Sequence, residues 1–395
     1  MRKRLLKWLV CPLCHGNLTL RVAEFETVEV PEFDRAALEA IAKVEHPDEI
    51  EIEIITGALI CTQCGLYYPI YNGVPRMLTY STKVNKTHAE QNSRWIAEQL
   101  SGFHLPNRNA PPGEEVVLRN FSKEWQDYDW NGKRYWESTP ENVLQCLRYS
   151  LGIPGHTLKH KLGLEVGIGI GGAADALSRA ENCELIGMDL GYSVDSAKRY
   201  FGQNRRLHIV QASVFAPPFR ACTFDVVYSH GVLHHTYSTE KAFSNVAELP
   251  KLNGGMLYVW VYSHEQEQRT ILRRVLMTTE QVVRPALSKL PEFVQTICLL
   301  PTLPLYILYQ NLYRRRQLGK QFAATYGWKE ALHAARDRLT PPFASRHTYA
   351  EVTEWFKSQM YQDIELLRDD ILPDGVPDSY ALNVGVRGFR GQEDK

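Results

Sequence analysis

The sequence predicts an α/β fold with a largely parallel sheet, and three observations predict it. Strand-length apolar runs recur between Leu162 and Tyr262, helical stretches separate them, and the first run ends in a glycine-rich loop. In Leu162–Gly172, residues Leu162, Leu164 and Val166 give the first strand its buried side chains. The glycines behind them let the backbone turn tightly into a helix over Ala173–Ala180. Glu184–Asp189 reads as the second strand, Leu207–Gln211 as the third, Phe224–Ser229 as the fourth and Gly255–Tyr262 as the fifth. A loop at the carboxyl end of such a strand is where open α/β sheets bind ligands.

Length and composition bound the rest. A chain of 395 residues holds more than one domain. Forty-five basic residues balance 45 acidic ones, which argues against nucleic-acid binding by bulk charge. Met1–Lys7 is basic, but the apolar run behind it is short and leads into Cys11, so no secretory signal is expected. Four of the eight cysteines form two C-x-x-C pairs, which suits a metal site in a reducing cytoplasm better than a disulfide framework.

Those pairs are Cys11 with Cys14 and Cys61 with Cys64. Each has the form of a zinc knuckle, and four thiolates complete a closed tetrahedral site, so structural zinc is expected. Pro31–Ile41, between the pairs, has helical spacing. The run Leu59–Ile70 with Asn72–Leu78 resembles the small zinc-ribbon proteins that partner and activate tRNA and protein methyltransferases. The resemblance covers residues 1 to about 80 and implies an activator-like domain fused to its own catalytic domain. Residues 81–120, polar over Thr82–Gly113, read as a linker, and residues 121–395 as the catalytic domain. Phe121, Trp125, Tyr128 and Trp130 form an aromatic cluster that either packs on the sheet or caps a ligand.

The glycines alone fit two cofactors. Gly167, Gly169 and Gly172 satisfy the dinucleotide pattern, and Glu165 with Gly167, Gly169 and Gly171 fits a loop for S-adenosylmethionine (SAM). A dinucleotide places its pyrophosphate on the helix amino terminus, whereas SAM has no phosphate and needs acceptors around its ammonium and sulfonium. Glu165 and the run Phe224–His235 favour SAM. With Asn253–Gly255 turning into the fifth strand, Leu162–Ser263 resembles class I SAM-dependent methyltransferases of the small-molecule type. The resemblance implies a Rossmann-like seven-stranded sheet. It also implies that Glu165, Gly167 and Gly169 line the methionine end, that Gly171 belongs to the same cofactor-binding loop, that Asp189 pairs with the ribose, and that Ser213 sits beside adenine where the family commonly has an aspartate. Ser229 and His230 would face the sulfonium and the acceptor. His230 and His234 are candidate general bases, with His235 beside them; the competing reading is that His234 and His235 pack the following helix. Methyl transfer is an in-line displacement that positioning alone accelerates.

Residues 264–336 read as a helical insertion. Arg269–Leu290 has helical apolar spacing, and Ile297–Tyr309 is apolar but broken by Pro301 and Pro304, too short to span a bilayer. Residues 266–316, ending in Arg314, Arg315 and Arg316, form either a lid or a peripheral membrane contact. Thr348 with Glu351 reads as a capping box, Tyr380–Arg390 as the last strand, and Arg338 and His347 as substrate-facing candidates. The expected function is methylation of a small-molecule, sugar-linked or lipid-linked acceptor on oxygen, nitrogen or carbon. The alternatives are a tRNA or protein methyltransferase and a non-catalytic SAM-binding protein. Against the first, no Asn-Pro-Pro-Tyr-type motif follows the fourth strand.

Overall fold

The computed structural model describes residues 1–126, 140–153, 158–264, 271–314, 325–368 and 383–392. An antiparallel four-stranded sheet opens the chain: β1 (Thr19–Thr27), β2 (Ile52–Cys61), β3 (Leu66–Tyr71) and β4 (Val74–Pro75), with helix α1 (Glu32–Ile41) between the first two. A second, seven-stranded sheet carries the rest: β5 (Leu162–Val166), β6 (Glu184–Asp189), β7 (Leu207–Gln211), β8 (Val226–His230), β9 (Met256–Val261), β10 (Tyr361–Leu366) and β11 (Val384–Arg390). Its spatial order is β10-β11-β9-β8-β5-β6-β7, and β11 alone runs antiparallel to both of its neighbours. The order reverses at β5, so its loop opens into the crevice where doubly wound sheets hold ligands. Strands β5 to β9 are buried on both faces, which is why they read as continuous apolar runs.

The small sheet is seated against the β6–β7 side of the large one. Val10 N–H donates to Pro218 O at 2.9 Å and Met77 N–H to Gln211 O at 2.8 Å. Beneath these contacts the Arg4 guanidinium pairs with both Glu184 carboxylate oxygens, at 2.8 and 3.0 Å, with both residues fully buried. His208 Nε2 lies 2.7 Å from the same carboxylate. Arg2 donates to the carbonyls of Gly202, Arg205 and Leu207, covering the start of β7.

Residues 81–120 differ from the linker expected of them. Helices α3 (Lys83–Gln91) and α4 (Ser93–Gln99) occupy their first half, and α5 (Glu114–Gln126) begins inside their second. The Thr82 cap explains α3: its side chain accepts from Asn85 N–H, so a polar sequence still starts a helix. Tyr128 and Trp130 lie outside the described residues.

The insertion contains α10 (Ile271–Leu287), a helical run over Glu292–Leu312 and α13 (Trp328–Leu339). That run is 21 residues long and holds an 18-residue stretch of mean hydropathy 1.3, so by length and composition it is long and apolar enough to cross a membrane, contrary to the sequence expectation. Pro301 and Pro304 each sit at the start of a new segment, where a missing N–H is tolerated, so they shift the helix type without ending the run. Gln295, Leu299, Leu303 and Gln310 face inward, and Phe293, Ile297, Leu305 and Leu308 are exposed. The Thr348 capping box forms as expected, with Glu351 N–H donating to Thr348 Oγ1 at 3.1 Å.

Breaking the buried pair tests how the two sheets are held. Arg4→Met leaves Glu184 uncompensated and is expected to lower stability in urea unfolding by about 3–5 kcal/mol. Adding Glu184→Gln is expected to restore most of that loss.

Candidate functional site

Two sites emerge from this arrangement. The first lies in the small sheet, where the Sγ atoms of Cys11, Cys14, Cys61 and Cys64 all lie within 4.8 Å of one another. Cys11 and Cys64 are 3.9 Å apart and Cys14 and Cys61 3.5 Å. Sulfurs bound to one ion at about 2.3 Å in a tetrahedron stand about 3.8 Å apart, so the donor set fits a closed four-thiolate centre. Gly65 follows the second pair with φ 66°, which relieves the knuckle turn.

The second site is a cavity of about 480 Å³ at the carboxyl edge of the large sheet. Glu165, Gly167, Gly169, Asp189, Ser213 and His230 all line it. Gly167 has φ 87°, and a Cβ there would lie 2.1 Å from Val232 Cγ2, so glycine is required where the loop passes the turn that follows β8. Asp189 accepts from Gly169 N–H at 2.9 Å and from Gly191 N–H at 2.8 Å, which ties the glycine loop to the end of β6. Glu165 is buried, and its Oε2 has no hydrogen-bond partner among the described residues. Burial pushes its carboxyl up to about 8; the Tyr228 hydroxyl opposes the shift and the Asp189 charge adds to it.

Three expected residues take other places. Gly171, with φ 87°, caps the helix α7 (Gly172–Glu181) and faces Ala197 and Phe201 rather than the cavity. Ser229 is buried below the wall and donates to Val166 O at 3.2 Å. His234 is packed 3.8 Å, ring to ring, from Tyr262 and does not line the cavity. His235 does line it, with Nδ1 2.9 Å from Phe343 O. His230 stacks on Trp260 at 4.4 Å, and its Nδ1 lies 3.2 Å from the Tyr258 hydroxyl. Burial pushes both His230 and His235 down to about 3, so these imidazoles are neutral near pH 7 and weak as bases. Arg338 and His347 do not line the cavity: Arg338 pairs with Glu280, and His347 Nδ1 meets Glu351 at 2.9 Å.

Sequence reasoning missed several wall residues. Helix α5 supplies Glu114 and Val117 in addition to Phe121 and Trp125, whose aromatic clustering was the only signal. The insertion supplies Asp337, whose carboxyl burial pushes up to about 6 while Arg284 and the Tyr262 hydroxyl oppose the shift. Near Asp337 the wall is aromatic, with Trp125, Tyr262 and Phe343. The cavity therefore has a carboxylate-rich end at the glycine loop and an apolar end under the insertion.

Residues 164–259 match the family model described as a methyltransferase domain, and residues 2–73 match the model described as Trm112p-like protein. Sterol 24-C-methyltransferase of Candida albicans is 23% identical over 165 residues, 38% of this chain and 42% of that protein. The enzyme of the same name from Saccharomyces cerevisiae is 27% identical over 125 residues, 29% of this chain and 33% of that protein. The chain thus spans less than half the length of these relatives. Among solved structures, a complex of the Haloferax volcanii Trm112 methyltransferase activator with a methyltransferase aligns at 14% identity and TM-score 0.41, covering 71% of this chain and 99% of that one. Human N-acetylserotonin methyltransferase with SAM aligns at 14% identity and TM-score 0.40, covering 71% and 61%.

The thiolate cluster makes its own prediction. Purified protein is expected to carry a tightly held divalent ion by elemental analysis, and Cys61→Ser to lose it together with the fold of residues 1–80. Full folding without metal would exclude a structural centre.

Proposed function

With a Trm112p-like domain and a methyltransferase domain joined in one chain, we propose that this protein is a SAM-dependent methyltransferase of an apolar, lipid-like acceptor. Its ribbon, residues 1–80, holds structural zinc. The observation that carries the reading is the cavity itself. One end presents a Glu165 carboxyl oxygen with no partner among the described residues, beside Gly167 and Gly169 on the wall, and the other end is aromatic. SAM, when bound, supplies a methyl group already activated by its sulfonium.

Each residue then has a task. Glu165 receives the ammonium of the methionine end, with Gly167 and Gly169 giving backbone room. Asp189 has spare lone pairs for the ribose hydroxyls while holding Gly169 and Gly191. His230, neutral and stacked on Trp260, shapes the wall between cofactor and acceptor. Phe121, Trp125, Tyr262 and Phe343 exclude water from the acceptor, so positioning supplies most of the rate. Asp337, poised near 6, is the group on the acceptor wall able to take up a proton.

The sterol methyltransferases among the relatives support a lipid-like acceptor, as does the exposed apolar face of Glu292–Leu312. That face is continuous in sequence with Arg314, Arg315 and Arg316, a pairing suited to an anionic lipid surface. The protein would work in the cytoplasm against a membrane. The Trm112p-like match favours a second reading, methylation of tRNA or protein with a built-in activator.

Two experiments test these assignments. Labelled SAM incubated with lipid extract, tRNA and a protein lysate is expected to label the lipid fraction, with the enzyme co-sedimenting with anionic vesicles. Labelled tRNA or protein with no labelled lipid would favour the second reading. Calorimetry in buffers of differing ionisation enthalpy tests Glu165. Its free carboxyl is mostly protonated below about 8, so capture of an ammonium expels a proton. Affinity for SAM is therefore expected to rise between pH 6 and pH 7.5, up to about tenfold per pH unit. Glu165→Gln is expected to weaken binding and flatten that rise.

A further inference from the structure

We propose that Glu114, on a helix outside the strand and loop motifs of the domain, reads the exocyclic amino group of the cofactor's adenine, with the Ser213 and Tyr80 hydroxyls each steadying one oxygen of its carboxylate. The inference rests on the SAM reading above and adds to it the carboxylate that the strand motif lacks. Ser213 stands two residues beyond β7, and a hydroxyl there brings no fixed charge. Its hydroxyl donates to Glu114 Oε2 at 2.6 Å and accepts from Phe215 N–H at 3.1 Å. The serine therefore works as a bracket that holds a carboxylate from another element.

Glu114 lies in the first turn of α5, buried and on the cavity wall. The Tyr80 hydroxyl donates to its Oε1 at 3.0 Å, so each oxygen is held by one neutral donor. A carboxylate offers about four lone-pair sites. Two remain, and no cation pairs with Glu114 among the described residues. Burial alone pushes its carboxyl up to about 7, the Ser213 and Tyr80 hydroxyls opposing. A further N–H donor from a ligand would stabilise the charged form. Leu190 and Phe215 line the same part of the cavity and offer apolar surface to a flat ring. The ligand chemistry this selects is a purine bearing an amino group rather than an oxo group, since a carboxylate accepts from the first and repels the second. Tyr80 lies just beyond the segment that pairs with β7 through Met77, so the ribbon side of the molecule helps set the carboxylate's position.

The test compares S-adenosylhomocysteine with S-inosylhomocysteine, which replaces the amino group by an oxo group, by calorimetry on the full chain. Wild type is expected to prefer the adenine ligand by about tenfold or more. Glu114→Gln, whose amide both accepts and donates, is expected to shrink that preference to within about threefold. Glu165→Gln should weaken both ligands alike and keep their ratio. Ser213→Ala, which leaves the Glu114 charge in place, should also keep most of the preference, so the assignment stays open to refutation should Glu114→Gln fail to fold. An unchanged ratio in folded Glu114→Gln, or a ratio abolished by Ser213→Ala with Glu114 intact, overturns the assignment while leaving the SAM reading standing. If wild type binds neither ligand, the SAM reading falls and the subsite with it.

Discussion

The structure depends on how a buried acid at the start of β6 is neutralised. Glu184 and His208 sit on adjacent parallel strands with almost no exposure to water, and within the large sheet they offer a carboxylate and an imidazole but no permanent cation. Arg4 arrives from the N-terminal helical turn ahead of the small sheet, meets both carboxylate oxygens and continues to the carbonyls of Leu38 and Ala42. A buried ion pair is weak evidence for added stability, but removing one partner is costly. The large sheet is thus complete electrostatically only with the ribbon in place. Arg2 on the backbone of β7 and Arg76 on Asp195 and Gln211 extend the same dependence along that edge.

That seating fixes the course of the chain beyond the ribbon. Met77 pairs with the end of β7, Tyr80 then reaches Glu114, and α5 is laid across the cavity with Phe121 and Trp125 on its wall. Helix α5 also meets the insertion, where Asn120 donates to Thr340 O at 2.6 Å and Arg119 to Ser288 O at 2.6 Å. The cavity is closed from both ends of the sequence by elements whose positions depend on each other.

The charges around the cavity differ in their partners. Asp189 is held by two backbone N–H groups, Glu114 by two hydroxyls, and Glu165 keeps one oxygen without a partner among the described residues. Burial raises all three carboxyls, which keeps them responsive to a ligand that brings donors or positive charge. The opposite wall, built partly from the insertion, is aromatic and carries Asp337.

The sequence by itself determined the parts whose signals are local. Strands β5 to β9 were legible because burial on both faces demands apolar runs, and the cysteine pairs because a knuckle is a four-residue device. Glu165, Gly167, Gly169 and Asp189 were legible because a strand end and its loop are neighbours in sequence. Only the tertiary structure decided the rest. Glu114 is 99 residues from Ser213, and no local pattern ties a glutamate in a polar segment to a distant hydroxyl. Asp337 and Arg338 are adjacent in sequence, and nothing marked the first above the second until α13 turned one toward the cavity and the other toward Glu280. His234 and His235 looked equivalent, each a base or a packing residue, but the short helical turn at Leu233–His235 buries His234 under Tyr262 and leaves His235 on the wall with His230. Periodicity records which side of an element is buried, whereas a binding site is made where several elements meet, and that meeting is set by long-range packing.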